Sequence, residues 1–424
     1  MPRPLRLVFE NSIFLIAGAL TALIWANTDR ESYDQFIGID LAALWGDHAE
    51  PAVTHDAASG EEAHAGGSHH AMTLQVFVND VLMALFFAIA GMEVWESLLP
   101  GGALSNPRKA ATPLLATLGG IVGPAGLYLL AAGFSSDGDL TRGWAIPCAT
   151  DIAFSYLFAR WIFGSGHPAI AFLLLLAIAD DAAGLIILAV FYPQGEIQPQ
   201  WFLLTLLAVG ICFMFRQRRV QSFWWYLLIP GVMSWWSFHS AGIHAALGLV
   251  PIIPCMPHAH TDLGIFARSE LHRNDTLNEF AQWWKNPIEI ILGLFGLVNA
   301  GVAFSGVGTG TWLVLFGLLV GKPLGITVFT WLAEKAFKLE VPAGMSYRHI
   351  LTLGMIAGIG FTVALFVSEA AFPAAQYSAE LRDAVKMGAL ASFGAAGLAF
   401  AIARLLGIRP GSSADPATGE AEIP

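Results

Sequence analysis

The sequence predicts an all-α polytopic membrane protein with twelve transmembrane helices. Three observations lead there. Of 424 residues, 56% are hydrophobic and only 12% are charged, against about 25% charged in soluble domains. The apolar residues fall in twelve runs near bilayer length, about 20 residues per helix. These runs are 12–27, 74–99, 112–132, 143–163, 168–191, 201–215, 223–238, 241–254, 287–304, 312–332, 350–372 and 384–405. With the N-terminus inside, the cytoplasmic segments hold 16 of the 21 Lys and Arg residues, the outer segments hold 4, and Lys322 lies within a span. That bias places both termini on the cytoplasmic side of the membrane.

The runs make residues 1–409 one membrane domain. The first run has no small-residue cleavage site and is expected to stay as a span. An outer loop, 46–71, carries His48, His55, His64, His69 and His70. It has no defined ligand spacing and reads as a solvated loop rather than a metal site. A polar cytoplasmic loop covers 255–286, and the tail 410–424 has the composition of a disordered segment. The net charge of −11 argues against a nucleic-acid partner. Cys148, Cys212 and Cys255 lie in or beside apolar runs without CxxC spacing, which argues against a zinc site or disulfide framework. No cofactor is expected.

Small residues four apart, Gly317, Gly321 and Gly325, then Gly354 and Gly358, allow close helix approach. Helix packing is reason enough for most of them. The informative residues are those a bilayer disfavours: Asp80, Glu93, Asp151, Asp180, Asp181, His244, Glu289 and Lys322. Each intramembrane charge costs about 2.5–3.5 kcal/mol on insertion scales, so each asks for a function or a partner.

LAIADDAAG puts Asp180 and Asp181 side by side inside the fifth run. Their side chains point about 100° apart on a helix. Both can border one cavity, but a single basic partner cannot satisfy both. Two carboxylates offer hard oxygen ligands to a small cation and also accept protons, so one site holds either cargo but not both well. Asp151 follows Pro147 in AIPCATDIAF, where proline tends to break the helix and Thr150 and Asp151 can bind freed backbone groups. Lys322 precedes Pro323, and an ion pair offsetting buried acids is compatible with a transport role. GMIAGIGFTVALF carries Gly354, Gly358 and Gly360 before Thr362 and invites unwinding. Broken helices expose dipole ends in the membrane, and Asp151 and Lys322 have the signs that neutralise them. His244 reads first as a packing residue. Glu93 and Asp80 share the second run, and Glu289 lies one turn from Lys285.

In this order along the chain, VNDVLMALFFAIAGMEV, WAIPCATDIAF, LAIADDAAG, SAGIHAALG, NAGV, GKPLGI and GIGFTVALF resemble the NhaA-type sodium/proton antiporters. The resemblance runs from the second span to the eleventh. It implies an inverted repeat in which two broken helices, the fourth and eleventh spans, cross. It puts the cation and proton site at Asp180 and Asp181, with sodium or lithium as the transported metal. Lys322 matches the lysine that pairs with the first aspartate, Thr150 and Asp151 match the break in the fourth span, and Gly358 and Gly360 the unwound part of the eleventh. It further implies electrogenic exchange of sodium or lithium for protons, often by homodimers. His244, Glu93 and Asp80 are candidates for pH tuning. Two regions depart from the family's pH-linked pattern. Trp95 and Glu96 replace a basic pair after GMEV, and LNEFAQWW replaces an acidic, histidine-rich start of the ninth span.

Rival readings fare less well. An intramembrane aspartyl protease needs GxGD, which is absent. A prenyl or phosphate-transferring enzyme needs further spaced acids, which Asp180-Asp181-Ala182-Ala183-Gly184 lacks. A sodium-coupled symporter of an organic solute is the nearest alternative, and it needs a solute pocket.

Overall fold

The computed structural model describes residues 12–41, 43, 72–135, 138–258 and 275–408. The histidine-rich outer loop, much of the cytoplasmic loop and the tail lie outside the described residues. Among the described residues the chain is helical, with one isolated bridge, Asp40 to Thr73, in place of any strand.

The helices in order are α1 (Ile13–Thr28), α2 (Arg30–Ile37), α3 (Leu74–Leu98), α4 (Pro107–Ala132), a 3-10 segment (Gly138–Cys148), α5 (Ile152–Phe163) and α6 (Pro168–Phe191). There follow α7 (Pro199–Gln217), α8 (223–240), α9 (Ala245–Cys255), α10 (Thr276–Asn299), α11 (Thr309–Lys335), α12 (Tyr347–Ala357), α13 (Phe361–Ala371) and α14 (Ala379–Leu405). Every one of the twelve apolar runs meets a helical segment. Six helices among the described residues are long and apolar enough to cross a bilayer, or seven if the bent pair α12–α13 counts as one span. The other runs give shorter, more polar or broken segments. The outer surface is apolar: Leu203, Leu206 and Leu207 on α7 are 57–69% exposed. Such a continuous patch suits lipid, not water.

Three local departures from straight helices follow from composition. Pro147 lies one residue before the end of the 3-10 segment, and residues 149–151 are non-helical before α5 starts, with Asp151 extended. Gly358 and Gly360 interrupt the eleventh run, and α12 and α13 meet at 52°. In α11 the pitch widens over Gly317–Gly321, just before Pro323, whose ring crowds the preceding turn. The expected cytoplasmic loop over 255–286 ends early. α10 begins at Thr276, because Asp275 caps it by accepting the Asn278 N–H at 2.8 Å. Hydrophobicity alone does not locate that polar first part.

The centre is held by glycine-to-backbone crossings. A Cβ on Gly325 of α11 would sit 2.0 Å from the Gly119 carbonyl oxygen of α4, and one on Gly123 would sit 2.4 Å from that of Gly321. α4 therefore lies backbone against backbone on the helix that carries Lys322. Gly325→Ala must separate the two helices or distort one. It is expected to destabilise the protein by about 1–3 kcal/mol, the cost of overpacking a tight contact. An unchanged thermal unfolding midpoint in detergent would show that this crossing is not a tight contact.

Candidate functional site

The two breaks lie against each other. The Asp151 N–H donates to the Ile359 carbonyl at 2.7 Å, tying the extended residues before α5 to those between α12 and α13. Each break leaves unpaired helix ends, and buried side chains meet them. Asp151 caps α5, accepting the Phe154 N–H at 3.3 Å through Oδ1. Its Oδ2 accepts the Thr362 N–H at 3.2 Å and also the Thr362 hydroxyl. One carboxylate thus faces the positive ends of two helices. The carbonyl ends of α12 are met by hydroxyls: Thr150 Oγ1 lies 3.2 Å from the Ala357 carbonyl, and Ser155 Oγ donates to that of Ile356 at 3.1 Å. The Gly360 N–H donates to Ser392 Oγ at 3.3 Å.

Asp180 and Asp181 lie beside this crossing in unlike surroundings. Asp180 is 4% exposed. Its Oδ2 accepts from Lys322 Nζ at 2.8 Å and from Thr150 Oγ1 at 2.7 Å. Lys322 is fully buried and also donates to the Cys148 carbonyl, the end of the 3-10 segment. Its charge therefore answers both a carboxylate and a carbonyl end. Asp181 is half-buried and, among the described residues, accepts no hydrogen bond and forms no ion pair. It feels the negative charges of Asp180, Glu93 and Asp151, offset only in part by the positive charge of Lys322. Asp180 and Asp181 line a small cavity of about 20 Å³ with Phe86, Phe87, Ala149, Gly184 and Val363. A cavity needs roughly 10–15 Å³ on this measure to hold one water. This one admits a single water or a dehydrated ion, and no organic solute.

The structure brings Thr150, Asp151, Asp180, Asp181, Lys322, Gly358 and Gly360 to one place. Glu93 is near enough for its charge to reach Asp181 but accepts no hydrogen bond among the described residues. Asp80 and His244 stand apart from the cluster, with Asp80 Oδ1 3.6 Å from His244 Nδ1. The Phe366 ring bridges His244, at 4.7 Å, and the cavity-lining Phe87, at 4.8 Å. Glu289 and Lys285 make no contact-distance ion pair, although the Lys285 charge reaches Glu289, and Glu289 Oε2 is buried without a hydrogen-bond partner.

Sequence reasoning missed two features. Thr362, 211 residues from Asp151, is its partner, and only the crossing of the breaks shows this. The second is another deeply buried lysine. Lys386 is 6% exposed and pairs with Glu369 at 2.5 Å, while Arg382 holds the other oxygen of Glu369 at 3.1 Å. The signal was an acid in the eleventh run facing two bases in the next helix.

The family model described as Na+/H+ antiporter 1 matches residues 5–403. The Na(+)/H(+) antiporter NhaA of Jannaschia sp. (strain CCS1) is 49% identical over 416 residues, covering 93% of this chain and 96% of its own. That of Geotalea uraniireducens (strain Rf4) is 46% identical over 411 residues, covering 96% and 98%. Among solved structures, the sodium proton antiporter MjNhaP1 from Methanocaldococcus jannaschii at pH 8 matches 78% of this chain and 86% of its own. That match has a TM-score of 0.48 and 12% identity, too distant to carry an argument here. The symporter reading gains nothing: the relatives are named antiporters, and the cavity has no room for a solute. The chain belongs to the NhaA family of sodium/proton antiporters.

Proposed function

We propose that this chain exchanges cytoplasmic sodium, or lithium, for external protons at Asp180 and Asp181. The observation that carries the reading is the asymmetry of the pair. Lys322 and Thr150 occupy Asp180, while Asp181 is left free beside a cavity sized for one ion. A sodium ion entering from the cytoplasm finds a negative site with one carboxylate to spare. Its charge relieves the repulsion of Asp181 by Asp180, Glu93 and Asp151. In displacing Lys322 from Asp180 it would gain a second carboxylate. Protons arriving from outside neutralise the carboxylates and release the ion.

The two carboxylates can together release more than one proton per sodium, so exchange is electrogenic and the membrane potential drives sodium outward. The breaks supply the moving part. α5 and α13 can tilt about the two breaks, whose helix N-termini stay capped by Asp151, and the cavity then faces one side at a time. The same reading takes the twelve apolar runs as twelve spans of one domain, 1–409, in the inner membrane. Both ends are cytoplasmic. The protein works as a homodimer.

Everted vesicles carrying the protein and a preformed proton gradient provide the test. Adding sodium or lithium is expected to collapse the gradient, and a potassium salt is not. If neither sodium nor lithium moves protons between pH 6.5 and 9, antiport is not this protein's function.

A further inference from the structure

From the break outward, α13 carries three features in order. Thr362 and Val363 lie at the crossing, where Thr362 binds Asp151 and Val363 lines the cavity. Three residues on, the Phe366 ring packs on Phe87 at 4.8 Å and on His244 at 4.7 Å. Phe87 is itself part of the cavity wall, so Phe366 stands between the cavity and the outer ends of α3 and α13. Glu369 follows after three more residues, about 9 Å along the helix axis from Val363.

Two bases of α14 share that acid. Lys386 Nζ lies 2.5 Å from Glu369 Oε2, and Arg382 donates to Oε1 at 3.1 Å. The two bases are four residues apart, on one stripe of their helix. The Gln75 amide of α3 adds a contact from a second side, at 3.4 Å from Oε1. The Glu369 side chain is only 17% exposed, so this is a largely buried charged joint between α13 and its neighbours.

Those neighbours are held by contacts that do not involve α13. Asp383, next to Arg382, accepts from Arg30 of α2 at 3.0 Å and from the Ala303 N–H at 3.2 Å. The Thr311 hydroxyl of α11 donates to the Ala384 carbonyl at 2.6 Å. A Cβ on Gly388 would sit 2.7 Å from that of Val314 on α11. The start of α14 is thereby fixed to α2, to the stretch after α10 and to α11. On the other side, Asn79 of α3 and Asn299 of α10 exchange two amide hydrogen bonds, at 3.1 and 2.7 Å. Gln75 also reaches Asn299, at 3.3 Å. Glu369 therefore fastens the outer end of a helix that adjoins the break to a frame that is tied together without it.

A buried ion pair is weak evidence for stability, because apolar groups of the same volume often hold a fold as well. A charged joint differs from an apolar one in having two discrete arrangements, paired or parted. We infer that Glu369, Lys386 and Arg382 form the outer latch of the exchanger. Closed, the latch keeps α13 on α14 and Phe366 on Phe87, and the aspartates have no opening to the outer side. Parted, it lets α13 swing about the break at Gly358 and Gly360, Phe366 leaves Phe87, and the cavity meets the outer solution. The three are positioning residues, acting on the ion only through α13 and its phenylalanine. The inference rests on the antiport reading and on the topology proposed with it.

Two measurements test the latch, both in full-length protein whose native cysteines are replaced (C148S/C212S/C255S). Cys148 serves Lys322 through its backbone carbonyl, which serine keeps. The first uses E369C/K386C, which removes both charges of the closer pair together and so strands neither. The purified variant is treated with a short bifunctional methanethiosulfonate and reconstituted. Joining positions 369 and 386 is expected to slow sodium-driven proton movement about tenfold or more, and cleaving the link with dithiothreitol to restore it to within about twofold of the untreated protein. A link between helices that never part changes nothing, so equal rates before and after joining would overturn the latch. The second reads access rather than transport. Right-side-out vesicles carrying V363C are exposed to a charged, membrane-impermeant methanethiosulfonate. Adding E369Q is expected to raise the labelling rate from outside about tenfold, as the population shifts toward the parted state. An unchanged labelling rate also overturns the latch. A wild type with no sodium-driven exchange strikes at the antiport reading instead. The labelling of V363C then still decides whether Glu369 holds the outer side closed.

Discussion

Asp181→Asn is expected to abolish sodium-driven proton movement while leaving the protein at least as stable as the wild type. The two halves of this expectation share one cause. Asp181 is the carboxylate that no protein group holds among the described residues, and it lies under the repulsion of three others. Asn keeps the shape and removes the charge. Folding loses no hydrogen bond or ion pair and sheds an unfavourable interaction. Transport loses the ligand that a bare cation needs. Removing one charged partner at a buried polar contact costs about 2–5 kcal/mol, so sodium affinity should fall on the order of a hundredfold or more. Thermal unfolding in detergent and sodium-induced gradient collapse, measured on the same preparation, separate the two effects. A variant that unfolds early would mean Asp181 is a structural residue with an unseen partner. A folded variant that still transports would place the cation elsewhere.

What the sequence made legible, and what it did not, divides along range of interaction. Acids inside apolar runs are visible one run at a time, because composition alone states their cost. Pro147, and Gly358 with Gly360, likewise announce two interruptions of helical geometry locally. Which groups answer those costs is not local. Lys322 lies 142 residues from Asp180, and Thr362 lies 211 from Asp151. No periodicity or capping rule spans such distances. The first pairing came only from resemblance to the family, and the second came only from the folded crossing. The start of α10 was missed for a different reason. Its first turns are polar and held by a cap at Asp275, so an apolar run marks where the helix enters the hydrocarbon and not where it begins.

Lys322 supplies the largest expected effect on stability. Its ammonium is fully buried between the Asp180 carboxylate and the Cys148 carbonyl. Lys322→Met keeps the length and apolar stem of the side chain but strands Asp180. Breaking a buried pair from one side costs about 3–5 kcal/mol, because a charge is left without compensation. Replacing both partners by neutral groups is often close to neutral. The double variant Asp180→Asn with Lys322→Met should therefore recover most of the stability lost by the single one. Recovery should stop short of complete, because the Cys148 carbonyl still lacks its donor. Transport should be lost in both, since the double variant has a single carboxylate at the cavity. Thermal unfolding of the two single variants and the double variant closes the cycle. If the losses simply add, Lys322 and Asp180 do not compensate one another in the membrane, and the ammonium is there for the break in the fourth run. If Lys322→Met alone is as stable as the wild type, Asp180 is neutral at rest. Its proton would then already be bound before sodium arrives, and sodium entry would have to displace that proton rather than the lysine.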